Sequence, residues 1–399
     1  MSARGIVYLV GAGPGDPRLL TLRALELIRS AETVAHDELI SPEILALVPR
    51  RTELIAVGRR HGRGAIAYRL HPRVLERARE GRAVVRLKSG DPLIFGRGAE
   101  EAEELAEAGI PFEIVPGVSA AVGAAAYTGI PLTHRHHASS VTLLTGHRAA
   151  AMGQGSRGTI VLYMVAHRLR ENLCRLVSEG CDPSTPAAYI AAATTSKQLV
   201  ISGTLADLAD KVGVERRADP ALVIVGSVVT LHDRIRWLEK LPLRGRRVLV
   251  ALAGRGPSKI AAGLRALGAR VVERPGTLVE QPANDIPLES AFLPGPPVGQ
   301  RESKRGALEE EAPELIVLPN SSAARGLLTR VSGTLLSAVP MLAIGPTIAE
   351  TARRHGAQNV LCLPAGSVEA AVSNTIEAFR RLDACDLAPK ERTKETFKW

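Results

Sequence analysis

The chain has 399 residues, 45% of them apolar, four cysteines and a formal charge of +10. Such a length exceeds what one hydrophobic core organises, so two or three domains are expected. Cys174, Cys181, Cys362 and Cys385 form no CxxC pair, which argues against a disulfide framework or structural zinc and for a reducing cytoplasm. With only 3% aromatic residues and no basic helix of docking spacing, the charge points to an acidic small molecule rather than nucleic acid. Nothing sustains about 18 apolar residues, so neither a signal peptide nor a membrane span is expected.

In chain order, residues 6–10 read as a strand, 19–30 as an amphipathic helix, and 33–35 and 54–57 as strands. The rhythm continues with a helix over 72–80, a strand over 83–87, a Glu-rich helix over 99–108 stopped by Gly109, and a strand over 112–115. A small-residue helix at 119–127 opens a second α/β domain, with strands at 141–145, 159–164, 187–191, 199–202 and 222–225. Leu241-Pro-Leu-Arg-Gly-Arg reads as a linker to a third domain with strands at 248–251, 270–272, 315–318, 341–344 and 360–363. Its helices are expected at 259–267, after Asn320, after Pro346 and over 368–382. Residues 275–313 are rich in Pro, Gly and Glu without apolar periodicity and read as a second linker.

Three loops stand out. Gly11-Ala-Gly-Pro-Gly-Asp-Pro17 joins a strand to a helix, where glycine allows backbone to approach a ligand. A dinucleotide fingerprint would need glycine at Asp16, so a nicotinamide enzyme is disfavoured. Lys88-Ser-Gly-Asp-Pro-Leu-Ile-Phe-Gly-Arg-Gly98 also follows a strand, and Asp91 there is an acceptor suited to a ribose or an amino group. Pro116-Gly-Val-Ser-Ala120 sets Ser119 at a helix N-cap, for capping or for ligand contact. Between Arg50 and Lys88 the chain has 12 Lys or Arg against three Glu, a stretch suited to a polyanion, although Arg73 and Arg77 share a helical face and read as solvated. His134, His136 and His137 on an extended segment would point to opposite faces, so metal is not expected.

These loops, followed by Gly129-Ile-Pro-Leu-Thr-His-Arg135, Thr145-Gly-His147, Tyr163-Met164 and Thr185-Pro186, resemble the uroporphyrinogen III C-methyltransferases, within the tetrapyrrole methylases. The resemblance covers about residues 4–238. It implies two α/β domains, 1–116 and 117–240, a homodimer, and carbon methylation of uroporphyrinogen III to precorrin-2 for sirohaem or cobalamin synthesis. It implies S-adenosylmethionine as cofactor, held by Pro14, Ser89, Gly90, Asp91, Ile94, Ser119, Ala120, Met164 and the backbone near Ala193. Asp37, in Ala35-His-Asp-Glu38, matches the family's acid/base carboxylate, and Arg59 stands where the family has a catalytic lysine. Arg50, Arg51, Arg60 and Arg63 are then expected to bind substrate carboxylates. Ser89, Glu38, Ala193 and the segment 61–73 depart from the family pattern, and Ser89 matters only if its φ must be positive.

Gly245-Arg-Arg-Val-Leu-Val250, Pro319-Asn-Ser-Ser-Ala-Ala324, Ala343-Ile-Gly-Pro-Thr347 and Ser367-Val-Glu-Ala-Ala371 resemble pieces of uroporphyrinogen III synthase. That resemblance implies one flavodoxin-like domain over 245–274 and 314–382, half of the synthase and without its activity. Two other readings stay open: a tetrapyrrole methylase acting at another ring position, and a module that binds S-adenosylmethionine or tetrapyrrole without turnover.

Overall fold

The computed structural model describes residues 5–49, 51–57, 70–146, 158–213, 220–252, 258–275, 313–331, 333–364 and 366–384. Arg50, Arg59, Arg60, Arg63 and His147, and residues 276–312 of the Pro-rich stretch, lie outside them. The chain divides into two compact units, Met1–Leu238 and Glu239–Trp399.

The first unit opens with a parallel sheet of β1 (Ile6–Gly11), β2 (Thr33–His36), β3 (Glu53–Ala56), β4 (Ala83–Lys88) and β5 (Phe112–Val115), in the order β3-β2-β4-β1-β5. Helices α1 (Leu22–Ser30), α2 (Pro42–Leu45), α3 (Pro72–Arg79) and α4 (Gly98–Glu107) connect the strands. Strand alternation fixes the layers. Val10, Val85 and Leu87 pack with Ala24, Leu27 and Ile28 of α1, whereas Val7, Leu9 and Val84 pack with Val74 of α3 and Leu105 of α4. The neighbours β1 and β4 therefore send their connections to opposite faces. The crevice that this divergence opens at the carboxyl edge of a parallel sheet is where such folds bind ligands. Helix α1 starts at Leu22, not Leu19, because Pro17–Leu19 form a 3₁₀ turn and the Thr21 hydroxyl caps the helix, accepting from Ala24 N at 3.1 Å.

A second sheet follows α5 (Ala120–Thr128). It comprises β6 (Val141–Thr145), β7 (Thr159–Tyr163), β8 (Pro186–Ala191), β9 (Leu199–Thr204) and β10 (Ala221–Val225), ordered β6-β7-β10-β8-β9. Only β6 and β7 run parallel among these pairs. Helices α6 (Leu169–Ser178) and α7 (Leu208–Val212) cover one face, through Leu169, Leu173, Leu176 and Leu208, and α5 covers the other through Ala121 and Ala124. Strand propensity dominates the sequence here and hides α6, whose apolar positions 169, 173 and 176 nevertheless follow helical spacing. A single turn, α8 (His232–Ile235), closes the unit.

The second unit is one parallel sheet of β11 (Arg247–Leu252), β12 (Arg270–Pro275), β13 (Leu315–Leu318), β14 (Met341–Ile344) and β15 (Val360–Leu363), ordered β12-β11-β13-β14-β15. Counted from β11, this is the 2-1-3-4-5 order of flavodoxin-like sheets. Helices α9 (Lys259–Ala266) and α13 (Val368–Ala384) pack on one face, while α10 (Ser321–Leu328), α11 (Gly333–Ala338) and α12 (Pro346–Arg354) pack on the other. The stretch at 241–246 is not a free linker. Leu243 is wholly buried in this unit's core and its N–H bonds Leu267 O at 3.0 Å.

Candidate functional site

The three glycine-bearing loops meet at the carboxyl edge of the first sheet, backbone against backbone. Gly13 and Gly90 exchange hydrogen bonds of 3.1 and 2.8 Å, and Ala12 N bonds Lys88 O at 2.8 Å. A Cβ on Gly117 would lie 2.3 Å from Gly90 O and 2.8 Å from Gly11 Cα. Glycine at 11 and 117 thus serves loop against loop. Asp91 is spent on the same junction: its carboxylate accepts from Leu93 N at 2.8 Å and from Gly117 N at 3.0 Å. Ser89 is not among the residues of positive φ, so serine costs no backbone strain there; the left-handed residue is Gly90, at 71°.

Elements of the second sheet complete the site. Pro14 lies against α5, where a Cβ on Gly123 would be 2.4 Å from Pro14 Cγ. Asp16 N donates to Thr194 Oγ1 at 3.2 Å, and the Tyr127 hydroxyl donates to the Asp16 carboxylate at 2.7 Å. Burial opposes the charge on Asp16, but hydrogen bonds from Arg18 and Tyr127 outweigh it and hold this carboxyl below its ordinary range. Ser119 occupies the N-cap position of α5, yet its side chain does not cap the helix. Its hydroxyl bonds the Tyr163 hydroxyl at 2.7 Å, and Tyr163 takes over the capping by accepting from Ala121 N at 3.1 Å. The Tyr163 ring meets Phe95 edge-on, with centroids 5.0 Å apart.

Backbone strain gathers at this edge. Among the described residues, five non-glycines have positive φ: Phe95 (54°), Arg97 (57°), Met164 (56°), Ala192 (46°) and Thr194 (67°). All follow β4, β7 or β8, and each costs about 1–3 kcal/mol, a cost that folds retain chiefly at functional sites. Ala193 is buried between two of them and Ala120 begins α5. Met164 is 41% exposed and Ile94 37%, so apolar side chains are turned outward beside polar backbone. That combination fits a ligand with an apolar ring and a hydrogen-bonding tail.

Asp37 follows β2 at the same edge, its N–H on Leu87 O at 3.3 Å. The turn it opens is tied to the first loop by Ser41, whose hydroxyl donates to Gly15 O at 2.7 Å. The Asp37 carboxylate is paired with Arg86 Nη2 at 2.5 Å. Arg86 also reaches Glu101 at 3.1 Å, and Lys88 Nζ lies 2.9 Å from the same Glu101 oxygen. Burial disfavours the Arg86 charge, and Asp37 and Glu101 more than offset this; burial and Arg86 together push Lys88 down. The sequence reading did not single out Arg86, Glu101, Tyr127, Tyr163 or Thr194 for the site. A signal existed for one of them: Arg86, with Lys88 two positions on, puts charge at alternate positions of an otherwise apolar central strand.

The basic stretch divides. Arg51 is exposed. Arg73 and Arg77 are not merely solvated but pair with Glu53 at 2.5 and 2.8 Å, with Arg82 at 3.4 Å, and the Arg77 guanidinium brings the Glu53 carboxyl down to about 2. His134, His136 and His137 sit on a turn rather than a strand, closed by a His134–Ala138 bridge, with ring centroids 4.9 and 5.7 Å from His134. They line an open basin of about 490 Å³ with Leu231, Arg234 and Ile235. Among the described residues no three His, Cys, Asp or Glu are grouped to hold a metal ion, and no helix is long and apolar enough to cross a membrane.

The first unit thus joins an open parallel sheet, with glycine loops and a carboxylate at its carboxyl edge, to a mixed second sheet in an α/β fold. The family model for Tetrapyrrole (Corrin/Porphyrin) Methylases matches residues 6–209, and the chain belongs to that family. Siroheme synthase 1 of Halorhodospira halophila is 49% identical over 243 residues, covering 59% of this chain and 50% of that protein. Siroheme synthase 2 of Aeromonas hydrophila is 49% identical over 245 residues, 58% of this chain and 51% of that protein. The chain thus spans about half the length of the curated relatives it matches. Among solved structures, uroporphyrin-III-C-methyltransferase from Thermus thermophilus is 44% identical, covers 58% of this chain and 96% of that chain, and superposes with a TM-score of 0.49. The enzyme of that organism has also been crystallised with S-adenyl homocysteine, at 37% identity, 56% and 93% coverage and a TM-score of 0.48.

Proposed function

We propose that the first unit methylates carbon atoms of uroporphyrinogen III, twice, to give precorrin-2 for sirohaem or cobalamin synthesis, as a cytoplasmic homodimer. The observation that carries this reading is the junction of three glycine-bearing loops with the strained Met164 and Ala192–Thr194 segments, beside Asp37, in a chain of the tetrapyrrole methylase family. S-adenosylmethionine supplies the electrophilic methyl group. Pro14, Ser89, Gly90, Asp91, Ile94, Ser119, Ala120, Met164 and Ala193 hold and orient the donor, Asp91 by fixing the loops and Met164 and Ile94 by offering apolar surface that excludes water. As a new bond forms between substrate carbon and the methyl, the sulfonium–methyl bond breaks, and Asp37 accepts the proton that the tetrapyrrole then loses. Arg50, Arg51, Arg60 and Arg63 bind substrate carboxylates, and Arg59 contributes a fixed positive charge where a lysine is usual.

The second unit is, in the same proposal, half of a uroporphyrinogen III synthase fold without synthase activity, since among the described residues it has a single sheet and no second wall to enclose a linear tetrapyrrole. Anaerobic incubation of the full chain with S-adenosylmethionine and enzymatically generated uroporphyrinogen III, followed by mass and absorbance, tests the reading. A gain of two methyl groups is expected; a single methylation favours another ring position, and binding without transfer overturns the catalytic role.

A further inference from the structure

The central strand β4 carries a feature that packing alone does not call for. Val84, Val85 and Leu87 are apolar and buried, but Arg86 and Lys88, only 4% and 2% exposed, turn two cations toward the face covered by α4. Glu101, 8% exposed and in the first turn of α4, meets both with one oxygen. The second Glu101 oxygen and Arg86 Nε are buried without a hydrogen-bond partner among the described residues. Such a network is a poor stabiliser. Desolvating four charged groups is costly, and replacing buried ion pairs with apolar side chains of like volume is often neutral or stabilising. Unsatisfied buried polar atoms add to that cost.

The network has one outlet. Of its carboxylates, Asp37 alone sits on the crevice edge and is partly exposed, and Arg86 grips one of its oxygens at 2.5 Å while a second bond anchors Arg86 to Leu87 O at 2.9 Å. Behind Arg86 stands Glu101, and behind Glu101 stands Lys88. We propose that Arg86 is a positioning residue for the methyl-transfer reaction, held from behind by Glu101 and Lys88, which fixes the Asp37 carboxylate in the orientation that receives the substrate proton. A guanidinium suits this task, because its planar fork satisfies Asp37, Glu101 and a backbone carbonyl together while remaining protonated. The inference rests on the role proposed above for Asp37.

A double-mutant cycle on the full chain tests it, with single-turnover methyl transfer as the readout. Arg86→Met is expected to lower the transfer rate about 100-fold, the size typical of a misplaced proton acceptor, while leaving KM for S-adenosylmethionine within about twofold. Arg86→Lys, which keeps the charge but loses the fork, should recover part of the rate. In an Asp37→Asn background the Arg86 substitutions should add little further loss, since a residue that acts through Asp37 has nothing left to position. Rate losses that multiply independently of Asp37, or an equal rise in KM for the donor, overturn the inference. If Arg86→Met does not fold, the same cycle with Arg86→Lys decides. A wild-type chain that transfers no methyl group sinks the proposed function itself, an outcome distinct from failure of the cycle.

Discussion

Substituting Gly117 with alanine isolates the close approach of the loops from backbone strain, because Gly117 is not among the residues of positive φ. The added Cβ would stand 2.3 Å from Gly90 O and 2.8 Å from Gly11 C and Cα, whereas ordinary contact begins at 3.4 Å. The difference of 3.4 and 2.3 Å requires a shift of about 1 Å. All the obstacles are backbone, so no side chain can swing away, and the loops after β1 and β4 must separate from the one after β5. Displacement on that scale costs about 100-fold in catalysis, and overpacking costs about 1–3 kcal/mol of stability. The assay is kcat/KM for methyl transfer, with calorimetric affinity for S-adenosylmethionine and Tm on the same sample. Gly333→Ala, at the exposed start of α11 with nothing within 4 Å, is the control and should leave transfer unchanged. A Gly117→Ala chain within twofold of wild type in transfer and affinity, and unchanged in Tm, refutes the reasoning that the loop junction builds the site.

Tyr163→Phe keeps the ring contact with Phe95 but strips the acceptor from the buried Ala121 N–H and the partner from Ser119, so a loss of about 1–3 kcal/mol is expected in denaturant unfolding. Tyr127→Phe removes a donor to the Asp16 carboxylate and should loosen the loop carrying Pro14, raising KM for S-adenosylmethionine several-fold with kcat little changed; a fall in kcat alone would count against this linkage. Glu53, held down to about 2 by Arg77 against an ordinary 4.5, stabilises the fold above about pH 4.5 and loses that contribution as pH falls toward 2. Glu53→Gln should therefore show a shallower loss of unfolding free energy than wild type over that interval, and parallel curves would remove Glu53 from the acid response.

Much of the architecture was legible because local pattern and burial agree. Strands at 141–145, 315–318, 341–344 and 360–363 have in the structure the bounds that the sequence pattern predicts, each being an apolar run between turn residues. Helix α6 does not stand out in the sequence because its neighbours are rich in strand formers. At 241–246 proline, glycine and arginine suggested a linker, while Leu243 in fact fills the second unit's core. Strand assignment likewise could not give the direction of β8, β9 and β10, since direction depends on which strand each meets. The histidine turn shows the same limit: alternation predicts opposite faces only if the segment is extended, and a local bridge makes it turn instead.

By itself the sequence determined the alternation of strands and helices, the three glycine-bearing loops and the family, because these depend on residues near one another in the chain. Tertiary structure decided what each polar group meets: that Asp91 fastens loops, that Tyr163 rather than Ser119 caps α5, and that Asp37 is gripped by Arg86 with Glu101 and Lys88 behind. The physical reason is that a buried charge or an unpaired amide must find a partner wherever the fold brings one. Asp37 and its partner Arg86 lie 49 residues apart, a separation that no local periodicity records.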